Sequence, residues 1–316
     1  MKIIRAEHLG MCFGVRDAIA LALKEAGTQP ITILGELVHN ETVLAGLREA
    51  GIQFQNDAGE ITTDAVMITA HGASERRLGA VRARGLRVLE ATCPLVHVAH
   101  NALKKLVREG SHPVVIGKRD HAEVRGLTED FEEFDVVLTE SDIFGMRERA
   151  RFGVVAQTTQ PIARVRELVR LLREQFPRAE VRFTDTVCQP TKRRQSAAED
   201  LARQCDVVLV IGGAHSNNTR ELVETTSRYC QRVHHVQTTA DLREEWFHHE
   251  DTVGITAGTS TPDSVINEVE KVLKAFSAIK EPTPVPSQEG NSRWTHQLFL
   301  PSEEGAGVGA SKSSAV

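Results

Sequence analysis

Three cysteines lie outside any apolar stripe: Cys12 in GMCFGV, Cys93 in EATCPLV and Cys188 in DTVCQP. Three thiolates without a fourth can hold zinc with one coordination position open, or an iron–sulfur cluster in which one iron lacks a protein ligand. A helix start lowers a thiol pKa, which favours the thiolate that metals require. No C-x-x-C occurs, so a zinc ribbon or a thioredoxin-like pair is disfavoured. Cys205 and Cys230 fall at helical spacing with Ala198, Leu201 and Ala202, and with Leu222, Val223 and Thr226, and read as small hydrophobes buried in helices.

A second set of residues is rich in hydrogen-bond donors. It comprises ELVHNET (His39, Asn40), TAHGAS (His71), RDHAEV (His121, Glu123), AQTTQP (Thr158), HSNNTR (Ser216, Asn217, Asn218) and AGTSTPD (Ser260). Each alone is an ordinary cap or surface turn. Together, at helix entrances, such residues form an anion site without a P-loop, and a phosphate-bearing substrate is its natural guest. Glu123 is the carboxylate beside a histidine of this set, placed to act as proton donor or relay near a metal.

The elements that position these residues repeat three times. A strand-like run precedes each cysteine (KIIRA, LRVLEAT, EVRFTDTV) and an amphipathic helical pattern follows it. A β-branched run then ends in Gly35, Gly117 or Gly212, 23 or 24 residues past the cysteine, and four residues further stand His39, His121 and Ser216. The chain is an internal triplication of about four strands alternating with helices per copy, which means parallel sheets covered by helices. The expected architecture is α/β: three similar lobes, 1–92, 93–187 and 188–279, around a pseudo-threefold axis, with strand ends turned inward so that the cysteines converge.

These motifs resemble the 4-hydroxy-3-methylbut-2-enyl diphosphate reductase family, over residues 1 to about 279. The resemblance implies a central [4Fe–4S] cluster on Cys12, Cys93 and Cys188. It implies a diphosphate held by His39, His71, His121, Ser216, Asn217, Asn218 and Ser260, with Glu123 and Thr158 serving the hydroxyl end and proton delivery. The implied reaction takes two electrons and two protons, expels the hydroxyl as water, and gives isopentenyl and dimethylallyl diphosphate. A small external donor, ferredoxin or flavodoxin, is expected by resemblance. The sequence departs from the family pattern at Ala122, where proline is common and whose loss is expected to loosen the loop aiming Glu123, and at Asn217, where a second serine is common.

Rival readings of the same residues are a paralogue acting on a related allylic phosphate, a zinc hydrolase built on the three thiolates, and a non-catalytic iron–sulfur sensor. A net charge of −5 and 4% aromatics argue against a nucleic-acid surface. No run of eighteen apolar residues occurs, and MKIIRAEHLG lacks the apolar stretch of a secretory signal, so a cytoplasmic protein without membrane contact is expected. Residues 280–316, rich in Pro, Ser and Gly, read as a disordered tail.

Overall fold

A computed structural model describes residues 1–279 and arranges their apolar runs as three four-stranded parallel sheets. The opening strand, β1 (Lys2–Arg5), is set aside from its neighbours in sequence. β2 (Ile31–Leu34), β3 (Gln53–Gln55), β4 (Ala65–Ile68) and β5 (Arg87–Glu90) form one sheet in the order β3-β2-β4-β5. β6 (His112–Ile116), β7 (Asp135–Val137), β8 (Arg151–Ala156) and β9 (Glu180–Phe183) repeat that order as β7-β6-β8-β9. β10 (Val207–Ile211), β11 (Arg232–Val236) and β12 (Thr252–Ala257) repeat it again, and the fourth strand is β1, paired with β12 from Lys2 opposite Thr252 to Arg5 opposite Ile255.

The helices are α1 (Phe13–Ala26), α2 (Glu41–Glu49), α3 (Glu75–Ala83), α4 (Pro94–Arg108), α5 (Ala122–Thr128), α6 (Glu140–Phe144), α7 (Ile162–Gln175), α8 (Gln189–Ala202), α9 (Asn217–Ser227) and α10 (Asp263–Ile279). They cover both faces of each sheet, so the inner strands β2, β4 and β10 are buried throughout and β6, β8 and β12 at all but their first residue. Alternate residues feed two separate cores: Val207, Leu209 and Ile211 point to one, Val208 and Val210 to the other. Among the described residues no helix is long and apolar enough to cross a membrane.

The triplication is present but circularly shifted. The strand before each cysteine closes one sheet, and the helix after it packs on the next: α1 sets Ala18 and Ala22 against Ile31 and Ile33, α4 sets Ala99 and Leu103 against Val115, and α8 sets Ala198 and Leu201 against Val208. Residues 2–5 therefore belong to the sheet of the third lobe, not to a first lobe spanning 1–92. Cys205 and Cys230 also differ from expectation. Both stand just beyond the helices α8 and α9, Cys230 buried and Cys205 half-buried against the same core. The tail expected at 280–316 lies outside the described residues.

Candidate active site

In every sheet the chain leaves the two inner strands in opposite directions, and the crevice at their carboxyl ends is where open parallel sheets bind ligands. His39 and His71 follow β2 and β4, His121 and Thr158 follow β6 and β8, and Ser216 and Ser260 follow β10 and β12. All six crevice loops line two adjoining cavities, which share His71, Val15, Thr159 and Thr259.

Cys12, Cys93 and Cys188 line one cavity. Each is the N-cap of its helix, and none uses its side chain to cap it. Their backbone N–H groups donate to equivalent carbonyls across the lobes: Cys12 to Thr259 O (3.0 Å), Cys93 to Ala70 O (3.1 Å) and Cys188 to Thr158 O (3.0 Å). Gly14 is required here by close approach, because a Cβ at that position would lie 2.5 Å from Cys93 Sγ. Burial pushes the Cys93 and Cys188 thiols up, and the nearby Cys12 and Glu123 add to the effect. Hydrogen bonding from Leu95, Val96 and Thr191 pulls them down but is outweighed. The expectation that a helix start would itself favour the thiolate is thus reversed at these two cysteines by desolvation.

The donor set fits a metal cluster better than a single ion. A tetrahedral zinc would draw its sulfurs to about 3.8 Å from one another. The group of three ligating side chains gathered within 4.8 Å among the described residues is His39, His71 and His121, not the three thiols.

Those histidines form the second cavity. His39 stacks on His71 (centroids 4.5 Å), and His121 stands edge-on to both at 5.1 Å. His121 caps α5, its Nδ1 accepting the Glu123 N–H at 3.1 Å, so the neutral ring carries its hydrogen on Nε2. His39 Nδ1 bonds Glu36 Oε2 at 2.8 Å. Burial first, and then the charge of His39, hold His71 well below the usual histidine range and His121 at about 3. Around the rings stand Ser216, which caps α9 through Thr219 N–H, Ser260, whose hydroxyl donates to His39 O, and Asn218, whose Oδ1 accepts from Thr259 N–H. His71 Nδ1 and Asn218 Nδ2 are buried without a protein partner, as expected of groups that meet a ligand. Two of the histidine nitrogens are already engaged and the flanking groups are mostly donors, so the arrangement suits an oxyanion.

Glu123, 1% exposed, lines the cysteine cavity beside Thr158. Thr158 donates twice to its carboxylate, N–H to Oε1 (2.7 Å) and Oγ1 to Oε2 (3.0 Å). Burial pushes its carboxyl up to about 7 against the pull of these bonds. A match to the LytB protein family spans residues 3–274. This chain belongs to that family.

Curated relatives of this LytB chain include the 4-hydroxy-3-methylbut-2-enyl diphosphate reductases of Pelobacter propionicus, 35% identical over 85% of the chain and 96% of the relative, and of Trichlorobacter lovleyi, 36% identical over the same shares. A solved structure of (E)-4-hydroxy-3-methyl-but-2-enyl diphosphate reductase, the terminal enzyme of the non-mevalonate pathway, superposes with TM-score 0.63 at 34% identity over 87% of this chain and 99% of that one. A reductase structure from Plasmodium falciparum, 24% identical, has the same fold with TM-score 0.79 over 87% of this chain and 89% of that one.

The LytB chain gathers the sequence-predicted residues at these two cavities. Asn217 takes part through its Nδ2, which donates to Thr159 Oγ1 at 3.3 Å. Ala122 does not leave Glu123 loose: the residue is fixed by Thr158 and by the His121 cap. His234 and His235 lie apart from the cavities, one stacked on Trp246 and the other bonded to Gly212 O. Sequence reasoning passed over Gly14, Glu36 and Arg194. Arg194 lies six residues past Cys188 in QPTKRRQ, a stretch that departs from the family pattern and whose flanking charges give no sign that this residue is buried.

Proposed function

We propose that this protein is an oxidoreductase that removes the allylic hydroxyl of 4-hydroxy-3-methylbut-2-enyl diphosphate, with a [4Fe–4S] cluster held by Cys12, Cys93 and Cys188. The observation that carries this reading is the meeting of three side chains of cluster-ligand type, on helix starts from three lobes, beside a donor-lined anion cavity. The names of its relatives support the substrate and the reaction. Such a cluster, when bound, supplies electrons and a Lewis-acidic iron for the hydroxyl end of the substrate.

The protein's own groups account for the rest. His39, His71, His121, Ser216, Asn217, Asn218 and Ser260 hold the diphosphate, whose charge favours proton uptake by the His71 and His121 rings, which burial otherwise keeps neutral. The diphosphate fixes the carbon chain so that its hydroxyl end faces the cysteine cavity, where Glu123 and Thr158 stand. With Glu123 protonated on Oε2, Thr158 Oγ1 accepts that hydrogen and turns its own toward the substrate oxygen, a two-residue path for the proton that makes water the leaving species. Two electrons and two protons enter, and water and isopentenyl or dimethylallyl diphosphate leave. The electrons come from a small external donor of the ferredoxin or flavodoxin type, in the cytoplasm.

Iron and sulfide counts on anaerobically purified protein, with Mössbauer spectra with and without the substrate, test the reading. About four irons per chain, one of them shifting on addition of substrate, is the expected result. Zinc in place of iron would replace it with the hydrolase reading, and a cluster indifferent to the substrate would replace it with a sensor.

A further inference from the structure

Arg194 of α8 is 8% exposed, and its guanidinium is spent on two neutral backbone carbonyls: Nε and Nη2 donate to Gly10 O at 3.0 and 2.6 Å, and Nη1 to Pro190 O at 3.0 Å. Among the described residues no carboxylate hydrogen-bonds it. Arg194 lines a cavity together with Cys12, on the helix whose N-cap is Cys188, and the like charge acting on it, Arg16, is itself paired with Asp263. A buried cation without an anion is costly, and an arrangement that keeps one implies a compensating negative charge close by. Ionised cysteines bearing a metal cluster supply that charge; neutral thiols do not.

The same residue fixes geometry. Gly10 holds φ +73°, and a Cβ there would lie 2.8 Å from Ile266 Cδ1, so the turn leading to Cys12 depends on glycine. Arg194 grips the carbonyl of that turn from a helix whose N-cap is Cys188. One side chain thereby ties two of the three cysteines together.

We infer that Arg194 is a positioning residue and the built-in counter-charge of the cysteine centre, favouring its electron-rich state and so raising its reduction potential. The inference rests on the cluster reading above. A fixed positive charge stabilises whichever redox state carries more negative charge, so removing it must lower the potential.

The test is a redox titration of the anaerobic holoprotein, followed by electron paramagnetic resonance, for the wild type, Arg194→Gln and Arg194→Lys, with iron counted in each. Arg194→Gln is expected to lower the reduced-to-oxidised ratio at fixed potential at least tenfold, which is 59 mV for one electron. Arg194→Lys, which keeps the charge and loses the fork, recovers most of that shift. A Gln variant at the wild-type potential, or a Lys variant displaced as far as Gln, overturns the counter-charge role while leaving the cluster reading intact. A wild type that carries no iron overturns both. If Arg194→Gln cannot hold the cluster, the melting temperatures of the metal-free variants decide: cluster retained by Lys and lost by Gln at equal melting temperature supports the inference, and loss in both overturns it.

Discussion

Replacing Glu123 by glutamine separates its proton chemistry from its packing. The side chain is almost fully buried, and glutamine preserves its shape: Oε1 can accept the Thr158 N–H while Nε2 donates to Thr158 Oγ1. In the folded protein the carboxyl titrates near 7 rather than 4.5, so ionising it there costs about 3 kcal/mol more than in the unfolded chain. The sign follows from proton binding. The stability that protonated Glu123 contributes is fully present below pH about 4.5, and it is lost as the pH rises toward 7, where the folded state must also ionise it. Above pH 7 the Gln variant should therefore be the more stable protein by about 3 kcal/mol, a gain of roughly 5 °C in melting temperature for a fold of this size, and this advantage should vanish near pH 4.5. Melting metal-free wild type and variant in parallel from pH 4.5 to 8.5 measures the difference, and contributions common to both cancel. Turnover should move the other way, falling about 100- to 10,000-fold with iron content unchanged, and wild-type turnover should decline as the pH passes 7. Melting curves that stay parallel across the pH range would refute the buried-acid argument. Undiminished turnover would remove Glu123 from the reaction.

Other substitutions probe the remaining parts of the site. Cys93→Ser should strip or cripple iron binding, whereas Cys205→Ser should leave the iron count unchanged; the reverse pattern would overturn the ligand assignment. Gly14→Ala places a methyl 2.5 Å from Cys93 Sγ and should impair cluster loading while far-ultraviolet circular dichroism stays native, so a full complement of iron would refute that contact. His71→Ala removes a ring packed against two others and should weaken diphosphate binding about 10- to 100-fold by calorimetry, with iron retained. Equal affinity would place the diphosphate elsewhere.

The sequence by itself determined a great deal here, because its signals are local. β-Branched runs ending in Gly35, Gly117 and Gly212, each at nearly the same distance past a cysteine, sufficed to define a threefold α/β repeat, and donor-rich turns at helix entrances marked the residues that the fold gathers at two adjoining cavities. Family resemblance added the expected substrate and the proposed ligand set. What depends on long-range packing was decided by the tertiary structure alone. That β1 closes the sheet of residues 207–257 cannot be read from KIIRA, since a short strand pairs wherever a sheet edge is left open, and among the described residues the third copy has only three strands of its own. The elevated thiols of Cys93 and Cys188 and the raised carboxyl of Glu123 arise from desolvation on burial, a quantity to which spacing is blind. The charges flanking Arg194 in QPTKRRQ give no sign of burial, and it becomes a buried clamp only when α8 meets the Gly10 turn, 184 residues away in sequence, because burial belongs to the assembled molecule and not to the residue.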